Sequence, residues 1–285
     1  PQKKATSVFN YCLNTSTIKG QGQGLVETIE IAAQAGYDSV ELWVNDIRGY
    51  MNEENSLAEL RNVLQSNALT VEGAIAHANW IVDDPEQRRQ GMEQMEADMN
   101  MMAELECKRI AAPPSGMRGS ELNYIEAGER FKEVIDMERK TGVMPQLEFQ
   151  GPSRVLHHLG QALYVAAAAG DPDVQILADV YHMYKGGSDF DALKLIKGNV
   201  LQMMHMNDYP GDIPREEQND SFRVYPGDGA APMEQILTDL YNMGGEKVLS
   251  LELFNREYWE QDALHVATTG LQKMKNQVAN CSQIV

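Results

Sequence analysis

Eight short apolar or β-branched runs alternate along this chain with longer segments whose apolar residues recur at helical spacing. Such alternation is typical of repeated βα units, in which each strand joins a parallel sheet and each helix covers it. The predicted strands are Ser7–Leu13, Ser39–Val44, Leu69–Ala76, Cys107–Pro113, Met144–Phe149, Val174–Val180, Val200–Met206 and Val248–Phe254. The predicted helices are Gly24–Ala35, Ser56–Gln65, Pro85–Leu105, Tyr124–Arg139, Arg154–Ala169, Phe190–Ile196, Pro232–Asn242 and Asp262–Val278. Eight such units predict an α/β fold, a closed (β/α)8 TIM barrel, with residues 1–285 as a single domain.

An open, doubly wound sheet is the structural alternative, and it would have fewer strands and a glycine-rich first turn. The glycine-rich stretch of this chain runs from Gly20 to Gly24, but Leu25 stands where a GxGxxG motif needs its third glycine. No P-loop sequence is present either. We therefore predict a flexible loop at this stretch rather than a nucleotide-binding turn.

The composition limits the kinds of partner. The 42 acidic and 24 basic side chains give a formal net charge of −18, which repels phosphate backbones and argues against nucleic acid. The apolar runs are shorter than the ~18 residues that a membrane helix needs, so no membrane span is predicted. Cys12, Cys107 and Cys281 are too few and too scattered for a disulfide scaffold, and we predict buried free thiols. Small polar molecules are the predicted ligands.

One ionisable residue stands near the end of each of the last four predicted strands: Glu148, Asp179, His205 and Glu252. A charged group inside an apolar strand costs several kcal/mol unless it is paired, neutralised or bound to a cation. Asp179 lies 31 residues after Glu148, and His205 lies 26 residues after Asp179, close to the ~31 residues of one βα unit in a barrel. The four side chains should therefore meet at one height on the carboxyl rim.

Three carboxylates and one imidazole form a mainly oxygen-donating ligand set. Such a set suits Mn²⁺, Mg²⁺ or Co²⁺ better than a closed thiolate zinc site, although Zn²⁺ is also compatible with it. A structural ion-pair cluster, or a satisfied buried histidine, is the alternative for any one residue taken alone. For the four residues in register, we predict a single divalent metal ion held by Glu148, Asp179, His205 and Glu252, with open positions for substrate oxygens.

A long loop is predicted between the seventh and eighth strands. Residues 208–229 are dense in Pro, Gly and Asp, and they account for the wide spacing of 47 residues between His205 and Glu252. Loops of this length over the carboxyl face are often functional lids. Arg223 lies within it, so the sequence allows either a fixed positive charge beside the substrate or a solvated loop arginine.

Further polar residues follow the predicted strands. His182 and Lys185 come after the sixth strand, and either side chain can face the pocket; His77 and Trp80 follow the third and would supply a donor and an apolar wall. Ordinary loop packing is the alternative for each of them. By contrast His157, His158 and His265 fall on helices predicted to face outward, and we expect surface positions for them.

Five short motifs on these strand ends resemble one known group of proteins. They are Leu147-Glu148-Phe149, Asp179-Val-Tyr-His182, His205-Met-Asn-Asp208, Arg223-Val-Tyr-Pro-Gly227 and Leu251-Glu252-Leu253. Together they resemble the xylose isomerase-like barrel superfamily, and more closely its sugar phosphate isomerase/epimerase branch with ketose 3-epimerases, hydroxypyruvate isomerases and inosose dehydratases. The resemblance implies that Glu148, Asp179, His205 and Glu252 hold one divalent metal, that the two glutamates act as acid and base, and that His182 and Arg223 contact substrate oxygens.

The reaction expected from this resemblance is isomerisation or epimerisation of a sugar or keto-sugar, by proton abstraction next to a carbonyl through an enediolate stabilised by the metal. The same metal and glutamates would also serve a keto-sugar dehydratase or a lyase, for example one that cleaves a 3-keto-glycoside by elimination. Less favoured are a non-catalytic sugar-binding barrel and an enzyme like the superfamily's DNA repair endonuclease. The endonuclease needs more histidines than this rim offers, and the net charge opposes a DNA groove.

Two further expectations concern the cellular location and the oligomeric state of the protein. The opening stretch Tyr11–Ile18 looks like bacterial members of this group that often carry export leaders, so we predict a periplasmic protein, with the cytoplasm as the alternative. A homo-oligomer is compatible with the sequence, which carries no direct sign of one.

Overall fold

Eight parallel strands form the sheet in the computed structural model, which describes residues 8–284. The order of hydrogen-bonded neighbours is β3-β2-β1-β8-β7-β6-β5-β4, so the strands run around a nearly closed barrel and the predicted TIM barrel is confirmed. Ser7, where the first strand was predicted to begin, lies outside the described residues. The strands are β1 (Asn10–Asn14), β2 (Ser39–Trp43), β3 (Thr70–Ile75), β4 (Arg109–Ala112), β5 (Met144–Glu148), β6 (Gln175–Asp179), β7 (Met203–Met206) and β8 (Val248–Leu251).

Ten α-helices surround this sheet in the described part of the chain. They are α1 (Leu25–Ala35), α2 (Val44–Asn52), α3 (Leu57–Ser66), α4 (Pro85–Glu104), α5 (Tyr124–Thr141), α6 (Leu159–Ala169), α7 (Val180–Gly186), α8 (Met233–Asn242), α9 (Arg256–Trp259) and α10 (Ala263–Asn280). Three 3₁₀ helices add Thr15–Gln21, Phe190–Leu195 and Asp220–Phe222. The barrel core lies between the helices and the sheet, where apolar side chains of both layers are buried.

Several helices differ from the sequence prediction. The short helices α2, α7 and α9 were not predicted, because segments this short carry too little periodicity to stand out. The helix predicted over Phe190–Ile196 is a 3₁₀ helix. The predicted flexible loop at Gly20 is partly wrong too, since a 3₁₀ helix runs to Gln21 and ends at Gly22, which has a left-handed φ of 81°.

The predicted helix Arg154–Ala169 begins later than expected, at Leu159. His158 is its N-cap, and its Nδ1 accepts a hydrogen bond from Gly160 N at 2.9 Å. The placement of His157 and His158 on a helix is therefore wrong, because both residues precede the first turn. His265 is exposed on α10, as predicted.

One irregularity in the sheet affects the barrel interior. Val40 of β2 pairs with Val71 of β3, but the next residue, Glu41, pairs with Gly73, so Glu72 has no partner on β2. The shift brings Glu72 into contact with an interior arginine, and it leaves Gly73 beside interior side chains as well. Two consecutive positions of β3 therefore face the interior, where strict alternation would allow one.

The middle of the barrel is filled by a small apolar layer. Its members are Cys12, Ile75, Ala111, Leu177, Met203 and Val248. Polar and charged side chains lie above and below this layer, at the two ends of the strands. No helix within residues 8–284 has both the length and the apolar character needed to cross a bilayer.

Candidate active site

Three of the predicted ligands converge at the carboxyl ends of neighbouring strands. Asp179 ends β6, His205 lies on β7 directly beside it in the ladder, and Glu252 follows the last residue of β8. Each offers a ligand atom, and these atoms all lie within 4.8 Å of one another. The register of parallel strands thus brings residues that are far apart in sequence to one point of the rim.

The ring of His205 is held from both sides. Its Nε2 lies 2.9 Å from Glu41 Oε1, and its Nδ1 lies 3.0 Å from Glu252 Oε2 and 3.4 Å from Asp179 Oδ2. Although Nδ1 is fully buried, no described residue gives it a well-directed hydrogen bond. Burial alone would lower the pKa of His205, but Glu252 and Glu41 outweigh it and raise this pKa well above its usual value.

Arg223 reaches the same point from the long loop. Its Nη1 donates to Asp179 Oδ2 at 2.8 Å and to Glu252 Oε2 at 3.0 Å, while Nη2 donates to Asp220 Oδ1 at 2.7 Å. The side chain is 1% exposed, so it is a fixed charge rather than a solvated loop arginine. Burial opposes ionisation of Asp179, but Arg223 outweighs it and holds the pKa of Asp179 well below its usual value.

Glu148 lies apart from this trio although it lines the same cavity. Glu148 ends β5 and is 4% exposed, yet its carboxylate oxygens fall outside the 4.8 Å group. No described residue forms a hydrogen bond or an ion pair with its carboxyl group, which lines the cavity. Burial, aided by the negative charges of Glu252 and Asp179, raises the pKa of Glu148 to about 8. Without a cation, its carboxyl group therefore keeps a proton at neutral pH.

A cavity of about 530 Å³ opens above these residues. Aromatic rings form one wall: Trp43 lies 5.7 Å from His77 and 6.1 Å from Phe254, between ring centroids. Acidic and basic groups form the base, and an aromatic wall beside polar groups is suited to a small polyhydroxylated molecule. The lining residues are Trp43, Ile75, His77, Glu148, Gln150, Pro152, His182, Asn219, Asp220, Ser221, Arg223, Glu252, Phe254, Arg256 and Trp259.

The two histidines predicted to bind substrate both line the cavity. Gly151 N lies 3.2 Å from His182 Nδ1, and Arg223 Nη2 lies 3.3 Å from His182 Nε2. Both neighbours are donors, so a neutral His182 accepts from one of them and carries its hydrogen on the other nitrogen. Burial lowers the pKa of His182 and that of His77, so both rings favour the neutral form. Neutral imidazoles can donate to substrate oxygens without adding charge to the site.

Lys185 and Trp80, for which a role in substrate binding was predicted, do not line the cavity. Lys185 donates from Nζ to three loop carbonyls, those of Arg215 (2.8 Å), Glu216 (3.1 Å) and Gln218 (2.7 Å). Trp80 is fully buried against Phe131, and its indole N–H donates to a backbone carbonyl. Their positions after strand ends could not reveal these orientations.

The long loop 208–229 is fastened at both of its ends. Asp208 accepts from the backbone N–H groups of Tyr209, Gly227 and Ala231, at 2.8 to 2.9 Å. Lys185 holds its middle part. These contacts fix the segment that carries Asp220 and Arg223, so the loop forms one wall of the site.

Sequence reasoning missed Glu41 and Asn14. Glu41 is an ionisable residue inside the apolar strand β2, so the criterion that found the other four would have found it had the early strands been included. Asn14 donates from Nδ2 to Glu41 at 2.8 Å and to Glu252 at 3.2 Å. Hydrogen bonds of this kind leave no periodic signal in a single sequence.

The residues present fit a divalent cation. Glu41, Glu148, Asp179 and Glu252 are buried carboxyl groups that face a single arginine and a single histidine, and a mainly oxygen-donating set with one imidazole suits a hard or borderline dication. His205 Nδ1, buried and without a directed hydrogen bond, points at two carboxylates. The raised pKa of His205 has the same cause, because the surrounding carboxylates favour its protonated form when no metal is bound.

Comparison with known proteins gives relatives along most of the chain. The xylose isomerase-like TIM barrel family matches residues 29–277. An inosose isomerase of Bacillus velezensis is 26% identical over 256 residues, which cover 88% of this chain and 91% of that protein. A fructoselysine 3-epimerase of Escherichia coli O157:H7 is 21% identical over 238 residues, covering 78% of this chain and 82% of that protein.

A solved structure of the IolI protein with a bound zinc atom superposes with a TM-score of 0.87. The superposition covers 97% of this chain and 99% of that one, at 23% sequence identity. At that identity the likeness establishes the fold. The relatives are enzymes that isomerise or epimerise sugar-like molecules, which agrees with a small-molecule ligand for this barrel.

Proposed function

Because the chain belongs to the xylose isomerase-like TIM barrel family, we propose that it is a divalent-metal-dependent isomerase or epimerase of a sugar or keto-sugar. The observation that carries the proposal is the cavity lined by both Glu148, at the end of β5, and Glu252, directly after β8, with Asp179 and His205 buried beside Glu252. Two carboxyl groups at one cavity can remove and return a proton. The inosose isomerase and 3-epimerase relatives support this class of reaction.

Asp179, His205 and Glu252 would hold the metal, and Glu148 would complete the set. When bound, the cation would act as a Lewis acid that stabilises negative charge developing on substrate oxygens. Mn²⁺, Mg²⁺, Co²⁺ and Zn²⁺ all suit the donor set.

The two glutamates would divide the proton transfers. Glu148, which no described residue holds by a hydrogen bond or ion pair, is free to take the proton from the carbon next to the substrate carbonyl. Glu252 is fixed by Arg223 and Asn14, so its carboxyl group stays in place to deliver or accept the second proton. Return to the opposite face gives epimerisation, and return to the neighbouring carbon gives isomerisation.

The remaining polar residues would orient the substrate. His182, as a neutral ring, and Arg223, with a permanent charge, would hold substrate oxygens and stabilise the enediolate as it forms. The aromatic wall would exclude water from the reacting carbon. The cavity lacks a cluster of free basic side chains among the described residues, which favours an unphosphorylated substrate.

The proposal is tested by incubating the Mn²⁺- or Mg²⁺-loaded protein with inososes, ketoses and 3-keto-glycosides in D₂O and following deuterium by NMR and mass spectrometry. We expect solvent deuterium at the carbon next to the carbonyl, and loss of this exchange after chelation. E148Q and E252Q should lower the exchange rate by about 10²–10⁴ while the fold persists, since a general acid or base of this kind contributes that much. E216Q, at a loop carboxylate whose side chain is 77% exposed, is the matched control and should exchange at the wild-type rate.

The products separate the alternatives. Loss of water or of an aglycone would assign the dehydratase or lyase reaction to the same residues. A sugar that binds without any exchange would contradict the proposal and indicate a sugar-binding barrel. Wild-type rates in both glutamate variants would refute the roles given to them.

A further inference from the structure

The buried carboxylate of Glu41 has no part in the proposed proton transfers. It projects from β2 into the barrel and accepts hydrogen bonds from Ser250 Oγ (2.7 Å) and Asn14 Nδ2 (2.8 Å), and it lies 2.9 Å from His205 Nε2. Three donors around one carboxylate satisfy its charge without water. Glu41 is therefore a fully buried, hydrogen-bonded acceptor, and the ring nitrogen beside it belongs to His205, a predicted metal ligand.

This contact determines which nitrogen of His205 keeps its hydrogen when a cation binds. Carboxylates flank both ring nitrogens in the metal-free protein, but a cation on the side of Asp179 and Glu252 would displace the hydrogen of Nδ1 and leave Nε2–H with Glu41. Nδ1 faces Glu252 and Asp179, the two oxygen ligands in the group. Carboxylates that hold the far nitrogen of a metal-binding histidine fix its tautomer and ring orientation and raise its basicity.

The neighbouring strand makes room for this arrangement. Gly73 lies opposite Glu41 in the β2–β3 ladder, and a Cβ at Gly73 would come within 3.0 Å of Glu41 Oε2 and 3.0 Å of Met203 Cε. The shifted register places a glycine at this interior position. A larger residue would push the Glu41 carboxylate away from His205.

From these contacts we infer that Glu41 is a positioning residue, which holds Nε2–H of His205 so that Nδ1 faces a divalent cation. The inference rests on the metal site of the proposed function and adds a residue to it. Glu41 would touch neither substrate nor metal. Its role is to give the one imidazole ligand a single orientation and tautomer.

The test compares E41Q with S250A in metal-stripped protein titrated with Zn²⁺ against a chromophoric chelator. E41Q replaces the charged acceptor with a neutral amide, and we expect Zn²⁺ to bind about 10- to 100-fold more weakly, as for other outer carboxylate partners of metal-binding histidines. S250A removes a donor from the same carboxylate but keeps its contact with His205, so it should lose less affinity than E41Q. A purely structural role would lower the melting temperature of the metal-free E41Q protein and leave its Zn²⁺ affinity unchanged, which would overturn the inference.

A second measurement needs no variant. In the wild-type protein labelled with ¹⁵N-histidine and loaded with Zn²⁺, NMR should show His205 with a protonated Nε2 and a metal-bound Nδ1. An unprotonated Nε2 would overturn the inference even if E41Q failed to fold. Failure of the proposed metal site is distinguishable, because the wild-type protein would then not compete with the chelator for Zn²⁺ at all.

Discussion

Two clusters of charge lie at the two ends of the barrel strands, and they differ in how their charges are balanced; in the amino-end cluster Glu72 and Arg109 are buried, whereas Lys108 and Glu246 are half-exposed. The amino-end cluster consists of Glu72, Lys108, Arg109 and Glu246. Arg109 contacts Glu72 at 2.7 Å and Glu246 at 3.4 Å, and Lys108 contacts the same two glutamates at 2.9 and 3.3 Å. Two positive charges thus meet two negative charges.

The carboxyl-end cluster has an excess of acid. It consists of Glu41, Glu148, Asp179, His205, Arg223 and Glu252. Four carboxyl groups face one arginine and one histidine, so the described residues cannot neutralise it. The imbalance also appears in the pKa values: burial opposes ionisation of Glu72, but Lys108 and Arg109 outweigh it and lower this pKa, whereas the pKa of Glu148 rises to about 8.

The difference teaches that burial of charge alone does not identify a functional site in this fold. A balanced cluster is explained by its own ion pairs, whereas an acidic excess requires a cation or a proton from outside the protein. Two predictions test this distinction by changing one residue of each cluster, and a third changes a contact of the loop that carries Arg223.

The largest expected effect is the loss of stability from E72Q. Removal of one partner from a buried ion pair typically costs about 3–5 kcal/mol, and E72Q leaves Arg109 with the half-exposed Glu246 as its counter-charge. We expect the free energy of unfolding, from urea titration, to fall by that amount while kcat of the metal-loaded enzyme stays at the wild-type value. E106Q, at an exposed pair with Arg61, is the matched control and should change stability by less than about 1 kcal/mol. A large fall in kcat from E72Q would show that the amino-end cluster also serves the reaction.

A change of opposite sign is expected from E148Q in metal-free protein. The folded state holds the Glu148 proton up to about pH 8, whereas the unfolded chain releases it near the ordinary value of 4.5, so wild-type stability falls as pH rises between these values. E148Q removes this penalty and should be more stable than wild type at pH 8 by about 4 kcal/mol, with the difference vanishing near pH 4.5. Thermal unfolding in chelator over this pH range measures it. A less stable E148Q at pH 8 would contradict the acidic excess.

The smallest expected effect concerns the wall formed by the long loop. K185M keeps the packing against Gly151 but removes the Nζ donors to three loop carbonyls, so the segment that carries Asp220 and Arg223 should become less ordered. We expect KM to rise about tenfold, a loss of about 1.4 kcal/mol in binding, with a smaller change in kcat. K140M, at a lysine on the outer surface, provides the control. An unchanged KM in K185M would show that Asp208 fixes the loop without help.

The sequence was sufficient to predict the barrel, because strand runs and helical segments alternate with little interruption from β1 to α10. It also predicted that Asp179, His205 and Glu252 lie together, since ionisable groups near the carboxyl ends of neighbouring barrel strands share a rim. The sequence could not place Trp80, which is fully buried away from the cavity, because a residue after a strand end can turn inward or outward. Contacts such as Asn14 to Glu252, 238 residues apart, depend on side-chain placement that no local pattern encodes.

The strands β3 and β4 are the two edges of the sheet, and the amino-end cluster connects them across the seam where the barrel closes. Lys108 N donates a backbone hydrogen bond to Val71 O at 3.2 Å across the seam, and Glu72 and Arg109 stand on its two sides. Their ion pair therefore links β3 and β4 at the place where the barrel has the fewest hydrogen bonds between strands. Acid strong enough to protonate Glu72 would weaken this ion pair. The strands β3 and β4 would then separate first, while β6 to β8, on the opposite side of the barrel, stayed hydrogen-bonded to one another.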